Sequence, residues 1–218
     1  MSSTPRPVIG IFGAGKVGIT IARLALAAGY TVHIASSGTA TDTAKLTRFF
    51  APTARPADSH DLPGLADILF IAAPLRRFRE LPLAAMGGHI VIDVMNYWPP
   101  LDGLLPELEE TDRPSSIIVQ DSLPPTTRLV KSFNHLGYHQ LEELPRPAGS
   151  PDRAALAVAG DDRDAVETVA NLVNTLGFDA VPAGTLADSG ALEADSAVFG
   201  QPLSQEKMRR ALGIARAA

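Results

Sequence analysis

Residues Gly13-Ala14-Gly15-Lys16-Val17-Gly18 form a G-x-G-x-x-G loop, with a short apolar run at 8–12 before it and a helical pattern at 17–28 after it. This junction constrains the chain more than any other feature. Spaced glycines alone are a weak signal. Between a buried strand and a helix, with a second strand pattern at 31–35, they predict a βαβ unit whose first turn cradles a dinucleotide pyrophosphate. Gly13 is expected to permit the tight turn, Gly15 to leave the backbone open to the phosphates, and Gly18 to let the helix press on the sheet. Ala14, Lys16 and Val17 complete the loop, and the helix start offers unpaired N–H groups and a partial positive charge.

The same alternation continues along the chain. Val17, Ile21, Leu24, Ala25 and Ala28 recur at helical spacing, with Gly29 as the stop, and 41–50 reads as a second helix. The runs 67–72 (DILFIA), 89–94 (HIVIDV), 128–133 and 155–159 are nearly continuous in apolar residues, as in parallel strands covered on both faces. At 164–176, Val166, Val169, Ala170, Val173 and Leu176 share one helical face before Gly177; a last strand at 178–181 and a helix at 204–215 follow. Proline-rich stretches at 98–106, 124–125 and 145–151 read as loops. The expected fold class is α/β: a doubly wound, mostly parallel sheet (a Rossmann NAD(P)-binding fold) with a small C-terminal α/β portion. The boundaries are 1–136 for the nucleotide-binding domain and 137–218 for the portion packed on it to complete the cofactor cleft.

Composition narrows the chemistry. With no cysteine in 218 residues, disulfides, thiol nucleophiles, iron–sulfur clusters and thiolate zinc sites are excluded. A net charge of −5 argues against a nucleic-acid partner. Residues 1–7 lack the apolar core of a signal peptide, and the apolar run at 17–28 is broken by Thr20 and Arg23 and too short for a bilayer. A cytoplasmic protein without membrane contact is expected. Tyr30, Tyr97 and Tyr138 have no lysine four residues on, and there is no G-x-S-x-G elbow and no P-loop. The β-hydroxyacid dehydrogenases share the opening loop but need a longer helical C-terminal domain than 137–218 provides.

The end of the second strand bears on which nucleotide is bound. NAD sites place Asp or Glu there for the ribose hydroxyls; this chain reads Ala35-Ser36-Ser37-Gly38-Thr39, and its first acid is Asp42. The missing carboxylate favours NADP, with Ser36 and Ser37 as donors to the 2′-phosphate. No arginine stands in the loop; Lys45 and Arg48, a turn or two on, either reach in or are solvated. Three further strand ends face the expected ligand side. Ala73-Pro74 leaves room for a flat ring, Asn96 follows 89–94, and Asn134-His135 follows 128–133; a ring pocket is the favoured reading of the last pair over a local turn. No catalytic residue is certain. His135 and His139 are four apart, but Gly137 between them and the unpatterned Glu142 and Glu143 lead us to expect no metal. Arg76, Arg77 and Arg79 either bind a phosphate or acidic tail or line a solvated face.

Over nearly its whole length the chain resembles the F420-dependent NADP oxidoreductases. The most specific segments are IGIFGAGKVG at 9–18, VKSFNHLGYH at 130–139, AVAGDD at 157–162 and GFDAVPAGTL at 177–186; DVMNYW at 93–98 is similar to an actinobacterial-type branch. The resemblance implies NADP on the glycine loop, a deazaflavin in the cleft against the nicotinamide, and a homodimer. The family's phosphate-binding serine falls on Ser36-Ser37, while its adjacent arginine is replaced by Ser37 or Gly38; its histidine beside the ring site falls near Asn134-His135, offset by one residue. The reductase domain of STEAP ferric reductases shares the layout, which makes a flavin such as FMN the lesser alternative to F420. The expected function is hydride transfer between NADP(H) and F420 or a related flavin. The alternatives are reduction of a small organic substrate by NADPH, or a non-catalytic NADP-binding sensor.

Overall fold

A computed structural model describes residues 6–214. The polar stretch 1–5 and Ala215, the last residue of the expected C-terminal helix, lie outside the described residues. Among the described residues, eight strands form one sheet: β1 (Ile9–Phe12), β2 (Val32–Ala35), β3 (Arg55–Pro56), β4 (Ile68–Ile71), β5 (Ile90–Asp93), β6 (Arg128–Ser132), β7 (Ala155–Gly160) and β8 (Asp179–Pro182). Their order is β3-β2-β1-β4-β5-β6-β7-β8. The chain moves outward from β1 to β3, then crosses back to β4 on the other side of β1, so the topological switch lies between β1 and β4. Helices α1 (Lys16–Ala27), α2 (Ala40–Phe50) and α3 (Leu62–Leu65) belong to the first half. The short helices α4 (Pro99–Asp102), α5 (Pro106–Glu109), α6 (Ser115–Asp121) and α7 (Tyr138–Glu143) follow, then α8 (Arg163–Thr175) and α9 (Gln205–Ala211). 3₁₀ helices cover Leu75–Glu80, Leu83–Met86 and Leu186–Leu192.

Successive strand side chains point to opposite faces, and both faces are dry. Ile9, Ile11, Phe70, Ile92 and Val130 join α1 and α8 in one core, whereas Phe12, Leu69, Ile71, Val91 and Leu129 form the other with Leu62, Leu75 and Phe78. Burying a residue of this kind contributes about 1.5–3 kcal/mol, which is why near-continuous apolar runs specify these strands. The mostly parallel, doubly wound reading is thus borne out, with two corrections. β7 pairs antiparallel with β6 and parallel with β8, so the last two strands run against the first six. Burial on both faces hides direction in the sequence: an antiparallel strand covered on both sides has the same apolar pattern as a parallel one. The stretch 98–106 is not simply a loop, because α4 and the start of α5 occupy it with proline at their first positions, where a missing N–H costs nothing.

Candidate functional site

The glycine loop sits at the carboxyl end of β1. Gly13 has φ +115°, and a Cβ there would lie 2.3 Å from the carbonyl oxygen of Ala72, so a side chain is excluded by both conformation and space. Its N–H donates to Ala35 O at 2.8 Å, fixing the loop to the end of β2. A Cβ on Gly18 would stand 1.8 Å from Gly13 O and 3.4 Å from Ile11 Cγ2. The closest constraint on Gly18 is therefore the loop folding back on itself, and the helix–strand contact comes second. Gly15 differs: its φ of −79° and ψ of −172° suit any residue, and a Cβ would meet nothing within 4 Å. The space beside Gly15 is open. As N-cap of α1 it supplies no capping side chain, and no acid occupies the first turn, so the helix start keeps its positive end exposed. Lys16 turns its ammonium over the Tyr138 ring, 4.9 Å from the centroid, and Val17 packs on the first core.

A cavity of about 630 Å³ opens above this loop. Gly13, Ala14 and Gly15 form its floor; Ser36, Ser37, Gly38 and Thr39 after β2 line it with Asp58, Ser59 and His60; Ala72, Ala73 and Pro74 after β4 continue into Arg77 and Glu80. These are carboxyl strand ends at the topological switch, the place where open α/β sheets bind ligands. The volume, the open face at Gly15 and the uncapped helix fit the adenosine and pyrophosphate of a dinucleotide.

The hydroxyls after β2 are not equivalent. Thr43 Oγ1 donates to Thr39 O (3.1 Å) and accepts from Ser36 N (3.1 Å), so the 2.8 Å contact between Ser36 and Thr43 uses the Ser36 proton. Ser36 Oγ also accepts from Gly38 N at 3.1 Å and thus shapes the turn. Thr39 donates to Asp42 Oδ2 at 2.8 Å in a capping box at the start of α2. Ser37 is exposed and has no such commitment. Hydrogen bonds from Lys45 and Thr39 hold the Asp42 carboxyl down at about 2, so it stays charged, with Lys45 at 2.8 Å. Arg48 lies over the Phe49 ring at 4.7 Å. Lys45 and Arg48, for which the sequence left open a reach to the 2′-phosphate or simple solvation, thus each have a neighbour of their own.

Asn96, Asn134 and His135 come together at the ends of β5 and β6 but are not among the residues lining the cavity. Asn96 Nδ2 donates to Asn134 O (2.8 Å); Asn134 Nδ2 donates to Asn96 Oδ1 (2.9 Å) and Leu192 O (2.6 Å). The chain turns into this pair through Phe133 at φ +64°, a left-handed conformation that costs a non-glycine residue about 1–3 kcal/mol. His135 is fully buried, and its Nε2 accepts from Ala157 N at 3.1 Å. Burial lowers its pKa from 6.5 to about 4, so the imidazole is neutral near pH 7.

Sequence reasoning gave no role to Lys131, which the structure buries completely together with Asp93. Lys131 Nζ lies 3.2 Å from Asp93 Oδ2 and donates to Met95 O at 2.5 Å; Ser116 Oγ and Met95 N donate to the same carboxylate at 2.7 and 2.9 Å. The pair fixes the backbone leading into Asn96. Among the described residues, no cluster of three or more His, Asp or Glu could hold a metal ion, and no helix is long and apolar enough to cross a membrane.

Residues 8–97, from β1 through the end of β5, match the family model described as NADP oxidoreductase, coenzyme F420-dependent. Metalloreductase STEAP3 of Rattus norvegicus is 27% identical over 192 residues, 86% of this chain; the chain spans 36% of that relative's length. Among solved structures, hypothetical protein SMa0349 from Sinorhizobium meliloti superposes with a TM-score of 0.77 at 27% identity, over 91% of this chain and 96% of that one. A protein from Arthrobacter sp. FB24, provisionally described as an F420-dependent NADP-reductase, gives a TM-score of 0.69 at 21% identity over 96% of both chains, a likeness of fold. The resemblance to F420-dependent NADP oxidoreductases is borne out by the family match, which places the glycine-loop region with NAD(P)-dependent oxidoreductases.

Proposed function

We propose that the protein is an oxidoreductase that passes a hydride between NADP(H) and F420 or a related flavin. The observation that carries this reading is the start of α1: Gly15 presents only hydrogen to an open cavity, at an uncapped helix terminus, inside the stretch that matches the family. Gly13, Ala14, Gly15, Lys16, Val17 and Gly18 would hold the pyrophosphate through backbone N–H groups. Ser37 donates to the 2′-phosphate, while Ser36 keeps the turn in shape. Ala73 and Pro74 give room to the nicotinamide ribose, with Asn96 flanking it.

The two bound cofactors supply the hydride donor and acceptor. The chain's part is to hold them in place and exclude water. Asn96 and Asn134 suit that part as a cross-bonded wall, and Asn134 Oδ1, buried without a protein partner among the described residues, is the acceptor this network leaves for a ring. His135 serves as a neutral packing residue of the same wall, since hydride transfer between two rings asks no proton of it.

The test is to mix purified protein with NADPH and oxidised F420 and follow bleaching of the deazaflavin absorbance. Turnover is expected. NADPH binding without turnover of any acceptor would overturn the reading in favour of a sensor. The match to a metalloreductase favours a second reading, a different electron acceptor on the same NADPH site; turnover with FMN but not F420 would select it.

A further inference from the structure

The loop after β2 offers a 2′-phosphate one uncommitted hydroxyl, and neither Lys45 nor Arg48, on the helix that follows it, is among the residues lining the cavity. The guanidinium on the cavity lining comes from the segment after β4, at Arg77. We propose that Arg77 is the residue that selects NADP over NAD, leaving its ion pair with Glu80 for the 2′-phosphate when the nucleotide binds. The inference rests on the NADP reading above and names the residue that decides it.

The backbone of Arg77 is fixed. Its N–H donates to Pro74 O at 2.9 Å, the preceding Arg76 N–H donates to the buried Asp102 carboxylate at 3.2 Å, and Leu75 and Phe78 anchor the 3₁₀ turn in the core. The side chain is free to move by comparison. Arg77 and Glu80 are 42% and 58% exposed, and an ion pair so open to solvent holds its partners weakly. Arg77 Nε and Nη2 approach Glu80 Oε2 at 2.9 and 2.5 Å, so one edge of the guanidinium already carries a carboxylate. A phosphate presents acceptors to that same edge with greater charge. With NADH, nothing competes for the guanidinium, and the pair with Glu80 stays closed.

Before nucleotide binds, the hydrogen bond from Arg77 keeps the Glu80 carboxyl below the usual range, and the pair is closed. Of the other lining residues, His60 also carries side-chain nitrogens, so it belongs in the test.

Adenosine 2′,5′-bisphosphate and 5′-AMP, used as competitors of bound NADPH, isolate the 2′-phosphate from the rest of the nucleotide. The wild-type chain should prefer the bisphosphate by about 10–100-fold, the range of a charge-assisted hydrogen-bond pair. Arg77→Met should bring that ratio close to one with 5′-AMP affinity unchanged, and Arg77→Lys should fall between. Equal loss of both probes, an unchanged ratio, or loss of preference in His60→Gln but not in Arg77→Met would overturn the assignment. Wild-type protein that binds both NADPH and NADH while Arg77→Met changes nothing refutes this inference alone. Binding of neither nucleotide refutes the dinucleotide reading and the inference with it.

Discussion

Replacing Gly15 by aspartate should raise stability and abolish nucleotide binding, two effects of opposite sign from one side chain. The backbone at Gly15 is extended, and an added Cβ meets nothing within 4 Å, so the substitution carries neither strain nor clash. Removing a glycine at a compatible conformation stabilises by about 0.4–1 kcal/mol through the unfolded state. Asp is also a better N-cap than Gly by a few tenths of a kcal/mol, and its charge favours the positive end of α1 by about 0.3–1 kcal/mol. A net gain of about 1 kcal/mol corresponds to a rise in Tm of roughly 2–4 °C for a chain of this size. Against a pyrophosphate the same carboxylate is a like charge. At a separation of about 4 Å and an effective permittivity of about 20, repulsion costs roughly 4 kcal/mol, a thousandfold in Kd. Thermal unfolding without ligand and calorimetric titration with NADPH measure the two effects separately. A variant that melts lower than wild type refutes the open-space reading of Gly15; one that melts higher but still binds NADPH refutes the placement of the pyrophosphate.

Two further perturbations probe the wall beyond the cavity. His135 titrates at 6.5 when exposed and at about 4 when folded, so between those values the unfolded chain holds a proton that the native one lacks. Stability is therefore full above about pH 6.5 and falls by about 3 kcal/mol as pH drops to 4. His135→Gln, which keeps an acceptor for Ala157 N, should flatten that part of the profile in urea unfolding; an unchanged slope would refute the assignment. Lys131→Met leaves Asp93 buried without its cation and should cost about 3–5 kcal/mol, with most of it recovered in Lys131→Met/Asp93→Asn. A loss below about 1 kcal/mol in the single variant would show that the pair does not hold the Met95 backbone.

The first half of the fold was legible because local rules and tertiary structure agree there. The apolar run of β1, the glycines at fixed offsets and the helical face of α1 each point to the same turn, and Gly13 and Gly18 are required by backbone contacts of their own. What stayed hidden depends on partners distant in sequence. Lys131 reads as a surface residue until Asp93, 38 positions away, is brought to 3.2 Å. Ser36 and Ser37 are the same residue type in adjacent positions, yet the Thr43 hydroxyl engages one and not the other. β3 has two residues, one of them proline, too short for any periodicity. The Ser115–Asp121 helix is short and rich in serine and β-branched residues, which favour other conformations in isolation.

The reversal of β7 determines what the C-terminal portion does. Because β7 starts beside the end of β6, with Ser132 opposite Val158, its own carboxyl end and that of β8 lie at the far edge of the sheet, away from the cavity. The chain must therefore cross back after β8 to reach the carboxyl ends of β5 and β6. It does so through the 3₁₀ helix at Leu186–Leu192, which begins with Leu186 N donating to Asp161 at 3.0 Å and ends with Leu192 O accepting from Asn134. Gly200 N then donates to His135 O at 2.7 Å, and Leu203 O accepts from Ala155 N at 2.8 Å. The returning segment thus fastens both residues of the wall at the end of β6. A parallel β7 would instead have put its own following loop at that edge. The antiparallel β7 thus lets the segment after β8 return to the carboxyl ends of β5 and β6 and fasten Asn134 and His135 there.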